Sequence, residues 1–207
     1  MANEIDAPTK SEMALLEPFA GLSLEQIIVP HTKEEFAAAA SDLARCQFIG
    51  FDTESRPTFQ KGEASLGPHI VQLTTLETAY IFQLHKVESH RHVTELMEST
   101  NVIKVGFGLK SDKSHLRRKL GITPKAILDM DRVFRQQGYR KELGVKAAVA
   151  IVFNRKFQKS KSVTMSNWAA RELRDNQLLY AANDAYTALK LLSTLNKPVA
   201  ALPITDL

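Results

Sequence analysis

The rhythm of hydrophobic positions changes several times along the chain, and each rhythm predicts an element. Residues 1–22, with Pro8, Pro18 and Gly21 and little periodicity, read as an N-terminal arm of undetermined order. Residues 23–207 read as one domain. Thr32 with Glu35 three residues later is a capping-box pattern, and the helix formers after it predict a helix over 33–45. Three apolar runs rich in β-formers follow, at 47–54, 70–75 and 79–84, the last two joined by a tight connection. Then come a helix around 93–97, a strand at 102–107, a helix at 111–120 ending on Gly121, and a short strand at 126–130. Two helical patterns, 141–153 and 175–195, flank a polar basic loop at 154–165. Strands in sequence, then strand-helix alternation, predict an α/β fold with a mixed five-stranded sheet and helices on both faces.

Composition narrows the class. A chain of 207 residues that is 44% hydrophobic can bury one sizeable core. The lone Cys46 excludes an intrachain disulfide framework and a cysteine-rich zinc site. No apolar run approaches the ~20 residues of a bilayer span, and the first ten residues lack the basic and apolar regions of a signal peptide. The expectation is a soluble intracellular protein with no membrane partner. Residues 104–161 carry 16 basic against 4 acidic residues, or +12, which leaves −8 for the rest. That asymmetry suits a polyanionic partner, although solvated helix faces account for it equally well.

Against this frame a few acids stand out. Asp52 and Glu54 end the first predicted strand, where a period of two puts both on one face. Phe51 and Thr53 point the other way, and Ile49 is expected on the carboxylate face deeper in the strand. Tyr180 and Asp184, four apart in a helix whose buried stripe runs through Leu178, Ala181, Ala185, Leu189 and Leu192, share a face. Asp112 falls in the first turn of the helix after the fourth strand, where the macrodipole alone favours an acid. Each fragment by itself is as well explained by solvated acids and a packed aromatic.

Their order and spacing carry more. FIGFDTE, IKVGFGLKSDKSHL and KSVTMSNWAARELRDNQLLYAANDAYTALKL together resemble the three motifs of the DEDD superfamily of 3′-5′ exonucleases, in the tyrosine subclass of the ribonuclease D and Werner exonuclease-domain type. The resemblance covers 48–195. It implies a ribonuclease H-like fold and stepwise hydrolysis from a nucleic-acid 3′ end, DNA or RNA, to nucleoside 5′-monophosphates. It also implies two divalent metal ions, Mg²⁺ or Mn²⁺, held by Asp52, Glu54, Asp112 and Asp184, with Tyr180 orienting the attacking water. The sister subclass uses a histidine at the position of Leu179, so that subclass is excluded. Ser55, where a bulky apolar residue is common, and Arg171-Glu172-Leu173, without the proline often found there, depart from the pattern and bear on substrate fit. The alternative is a catalytically weak nucleic-acid-binding module on the same fold.

Other features weigh less. His85, His90 and His92 lack helical zinc spacing and read as surface histidines. Gly106-Phe107-Gly108 lacks the third glycine of a dinucleotide loop. Trp168 reads as a core anchor more readily than as a substrate platform. Lys159, Lys161 and Arg171 are candidates for contacts with backbone phosphates, with solvated cations as the bland reading.

Overall fold

Two short elements precede the predicted ones. The computed structural model describes residues 5–58, 65–139 and 141–206. Thr9 and Glu12 cap each other at the start of α1 (Lys10–Ala14), and β1 (Ile27–Ile28) follows. Next come α2 (Lys33–Ala44), capped by Thr32 and Glu35 as their spacing predicts, and β2 (Phe48–Glu54). The chain continues through β3 (Ile70–Thr74), β4 (Ala79–Gln83), α3 (Glu88–Glu98), β5 (Ile103–Gly106) and α4 (Lys110–Leu120). It ends with β6 (Ile127–Asp129), α5 (Met130–Arg135), α6 (Val145–Phe153), α7 (Lys161–Thr164) and α8 (Asp175–Leu195). Gly121 stops α4 in the left-handed region at φ 73°, a conformation that glycine adopts without a Cβ clash.

The sheet has six strands, not the five expected, in the order β1-β4-β3-β2-β5-β6. The additional strand is β1, whose two residues pair in parallel with Ala79 and Tyr80. Strands β2, β3 and β4 form an antiparallel meander, while β5 and β6 extend the sheet in parallel from β2. Asp129 ends β6 and caps α5 by accepting from Asp131 N, so the chain turns helical one residue before the predicted strand end.

Helices cover both faces. On one, Ile49 and Phe51 pack with Val71, Leu73 and Phe82 against Phe36 and Leu43 of α2 and Val93 and Met97 of α3. On the other, Ile70, Ala79 and Ile81 meet Trp168 and the Ala181–Tyr186 stretch of α8, and Val105 and Leu128 meet α5, α6 and the end of α8. Ile49 therefore lies opposite the carboxylates, which corrects its expected placement on their face: it shares its parity with Phe51, and period two sends both away from Asp52.

The residue behind the acids is Gly50. A Cβ there would lie 2.3 Å from the Ala185 carbonyl oxygen and 2.3 Å from Thr74 Oγ1. The missing side chain lets α8 lie directly on β2, and that contact carries Asp184 over the strand that ends in Asp52 and Glu54. Lys104, counted in the basic segment, is fully buried, with Nζ donating to the carbonyls of Ser99 at 2.6 Å and Val102 at 2.7 Å. The basic segment thus presents fewer cations to a partner than its composition suggests.

Candidate active site

Strand and helix periodicities converge on one point. Asp52 and Glu54 alternate out of β2 onto the α8 side, and Tyr180 and Asp184 sit one helical turn apart on the α8 face that meets it. Carboxylate oxygens of Asp52, Glu54 and Asp184 lie within 4.8 Å of one another. Asp112 is buried beside them but stands outside this trio: it accepts from Thr53 Oγ1 at 2.5 Å and from Ser111 Oγ at 3.3 Å. The structure therefore gathers three of the four predicted acids and ties the fourth to the back of β2.

Crowding carboxylates, Asp52 and Glu54 half-buried and Asp184 buried, is electrostatically costly, and the protonation equilibria reflect it. Burial pushes Asp52 well above the usual carboxylate range, and repulsion from Asp112, Asp184 and Glu54 adds to it. Burial and the neighbouring Asp184 push Glu54 up to about 8. Asp184 is also raised by burial, against the opposing pull of Lys159. Lys159 Nζ lies 2.7 Å from Asp184 Oδ2 and 5.2 Å from the centroid of the Tyr180 ring. Burial would lower the Lys159 amine, but the charges of Asp184 and Asp52 outweigh it and hold the ammonium above its usual range.

The close contact of Asp184 Oδ2 is with the Lys159 ammonium, an ion pair at 2.7 Å. An all-oxygen donor set with unused lone pairs and excess negative charge is what hard divalent cations such as Mg²⁺ or Mn²⁺ require. The residues present fit such a cation.

Tyr180 is 9% exposed, its ring 5.8 Å from that of Trp168, and its hydroxyl is 2.8 Å from Thr164 Oγ1. Burial and the nearby Asp184 push the phenol up to about 12, so it stays protonated at neutral pH. Trp168 is a core residue at 1% exposure, its Nε1 donating to the Thr164 carbonyl at 3.1 Å. Of the three cations expected to meet phosphates, Lys161 and Arg171 are exposed, whereas Lys159 turns inward to Asp184. Thr53 and Thr164 are not legible in the sequence, since a hydroxyl that steadies an acid or a phenol leaves no local pattern.

The class defined here is a mixed α/β sheet that gathers carboxylates where its central strand meets a long helix. A family model described as 3′-5′ exonuclease matches residues 27–200, and the chain belongs to that family. It is 29% identical over 153 residues to a 3′-5′ exonuclease of Arabidopsis thaliana, covering 72% of this chain and 52% of the relative. It is 29% identical over 208 residues to the exonuclease mut-7 homolog of Aedes aegypti, covering 87% of this chain and 28% of the relative. The chain thus spans about half the length of the first relative and less of the second.

Among solved structures, the EXO domain of Aedes aegypti Nibbler matches with a TM-score of 0.71 at 25% identity, covering 84% of this chain and 88% of that one. Trypanosoma brucei RNase D matches with a TM-score of 0.75 at 21% identity, covering 86% and 66%, a likeness of fold. Both agree with the ribonuclease H-like architecture. No described helix is long and apolar enough to cross a membrane.

Proposed function

We propose that this chain is a metal-dependent 3′-5′ exonuclease that shortens a DNA or RNA strand from its free 3′ end and releases nucleoside 5′-monophosphates. We propose further that residues 23–207 form one exonuclease domain. The observation that carries the reading is the trio Asp52, Glu54 and Asp184, with oxygens within 4.8 Å of one another on a family-matched fold. In this reading the trio holds divalent cations, Mg²⁺ or Mn²⁺, and Asp112 completes a two-ion site by exchanging its bonds to Thr53 and Ser111. Bound there, the ions supply positive charge for the phosphate and acidity for water.

The chain's own groups do the positioning. Tyr180, protonated and steadied by Thr164, can hydrogen-bond the attacking water but is a poor base. It orients that water in line with the scissile bond. The water oxygen bonds to phosphorus, the P–O3′ bond breaks, the water gives up a proton, and the 3′ oxygen leaves protonated.

The test is a 5′-labelled strand, DNA and RNA in parallel, incubated with Mg²⁺ or Mn²⁺. A ladder shortening one nucleotide at a time, with 5′-monophosphates released, is expected. Internal cuts, 3′-monophosphates, or an intact strand under every condition would sink the reading.

A further inference from the structure

Residues 10–19 lie outside the stretch matched by the exonuclease family model, yet they are fastened to the protein beside the acid cluster. The Phe19 ring lies 5.1 Å from that of Phe153 and 6.4 Å from that of Phe157. Lys156 N donates to the Glu17 carbonyl at 2.8 Å and Phe19 N to the Lys156 carbonyl at 2.9 Å, while Lys156 Nζ donates to the Ala14 carbonyl at 3.0 Å. These bonds hold the arm along α6 and the loop that follows it, and the two do not close against each other. A groove of about 750 Å³ remains between them, lined by Lys10 and Met13 of the arm, Lys146 of α6, and Lys156, Phe157 and Lys159 of the loop.

Four of the lining residues are lysines and none is acidic; Lys156 Nζ is bonded to the Ala14 carbonyl and Lys159 Nζ to Asp184, which leaves the charges of Lys10 and Lys146 for a ligand. At one end the groove reaches Lys159, whose ammonium touches Asp184, so it ends one side chain away from the carboxylate cluster. A groove with apolar walls, the cations of Lys10 and Lys146 and no acid in its lining, ending near a candidate phosphodiester-cleaving centre, fits a strand whose phosphates meet the lysines and whose bases and sugars meet the apolar side chains.

We propose that this groove carries the nucleotides lying upstream of the 3′ end, with Lys10 of the N-terminal arm contacting a backbone phosphate. The arm is then one wall of the substrate groove. This rests on the exonuclease reading for the strand's polarity. The shared chemistry is the phosphodiester backbone, so DNA and RNA should both bind, and sequence should matter little.

Binding of 5′-fluorescein dinucleotides and octanucleotides, DNA and RNA, to the full chain is measured by anisotropy in chelator, where turnover is suppressed. Lys10 is exposed on the first turn of α1, and Lys10→Ala should leave the fold intact by circular dichroism. Losing one phosphate contact on a single strand lowers the log-log salt slope by about 0.7, or about fivefold in affinity at 0.1 M salt. Lys10→Ala should therefore weaken the octanucleotide about fivefold and leave the dinucleotide unchanged, and Lys10→Glu should weaken it further. Lys33→Ala, on α2 across the sheet, is the control and should change neither.

Octanucleotide affinity unchanged in both Lys10 variants overturns the proposal, as does an equal loss in the control. An acidic peptide of matching charge that binds as tightly as the octanucleotide also overturns it. Because the readout needs no turnover, the two claims separate. Weakened Lys10 variants with no strand shortening in metal defeat the exonuclease reading alone, and normal shortening with unaffected Lys10 variants defeats the groove alone.

Discussion

Lys159 Nζ sits 2.7 Å from Asp184 Oδ2, so the protein's own cation balances part of the charge that a divalent ion would meet. Lys159→Met removes that balance and leaves Asp184 buried without its partner. Breaking a fully buried pair costs about 3–5 kcal/mol, and a lysine still one-third exposed reduces this to about 1–3 kcal/mol. In chelator the variant should unfold at lower denaturant, whereas its affinity for Mn²⁺ should rise because no ammonium competes for the acid. Unchanged stability in chelator together with weaker Mn²⁺ binding would contradict this.

Removing metal should expose the repulsion among the acids as a pH dependence. Glu54 has its folded pKa raised from 4.5 to about 8, so between those values the folded state binds the proton more tightly than the unfolded state. The sign follows: in chelator, the contribution of Glu54 to stability is fully present below about pH 4.5 and is lost as pH rises through about 8, with Asp52 and Asp184 acting in the same direction. Lys159, held above its usual range, stays charged throughout and does not alter the slope. Saturating Mn²⁺ should flatten the decline. Thermal melts across this range, with and without metal, make the comparison, and identical profiles would refute it.

Tyr180→Phe separates water orientation from metal binding. The hydroxyl is 2.8 Å from Thr164 Oγ1 and also meets Asp184, but a neutral phenol supplies no charge to a cation, so calorimetry should show near-normal Mn²⁺ affinity. Single-turnover cleavage should slow by about 100-fold, the scale of a misplaced nucleophile. Loss of metal as severe as that of Asp184→Ala would make the tyrosine a structural support, and cleavage at the wild-type rate would make it a packed aromatic.

Gly50→Ala tests how the site is built. The added methyl would lie 2.3 Å from the Ala185 carbonyl oxygen and 2.3 Å from Thr74 Oγ1; the Thr74 side chain can rotate, but the backbone contact is relieved by separating α8 from β2. Overpacking of this kind costs about 1–3 kcal/mol. The shift moves Asp184 away from Asp52, so Mn²⁺ affinity should fall along with stability. Full metal affinity in a destabilised protein would show that the helix yields elsewhere.

Short periodicities are what the sequence makes legible. Asp52 and Glu54 two apart on a strand, and Tyr180 and Asp184 four apart on a helix, announce shared faces through spacing alone. The helix α2 is readable from Thr32 and Glu35, and α8 from its apolar stripe. Two residues such as Ile27 and Ile28 are too few to show alternation, which is why the sixth strand is not foreseen. The capping pair Thr9 and Glu12 is a signal for α1 that the prolines around it obscure. The pairing of Lys159 with Asp184 spans a loop and a one-turn helix with no periodicity of their own, and the bond from Thr53 to Asp112 joins opposite sides of a strand end. Such contacts arise only once the sheet has set the distances.

The central claim is that one carboxylate cluster both binds the cation and cuts the strand. Mn²⁺ binding by calorimetry and 3′-end shortening should be measured together on the wild type and on Asp52→Asn, which keeps the shape and removes a charge. The account predicts that the wild type binds Mn²⁺ and shortens the strand, and that Asp52→Asn stays folded while losing both activities. Shortening by Asp52→Asn at the wild-type rate would contradict it.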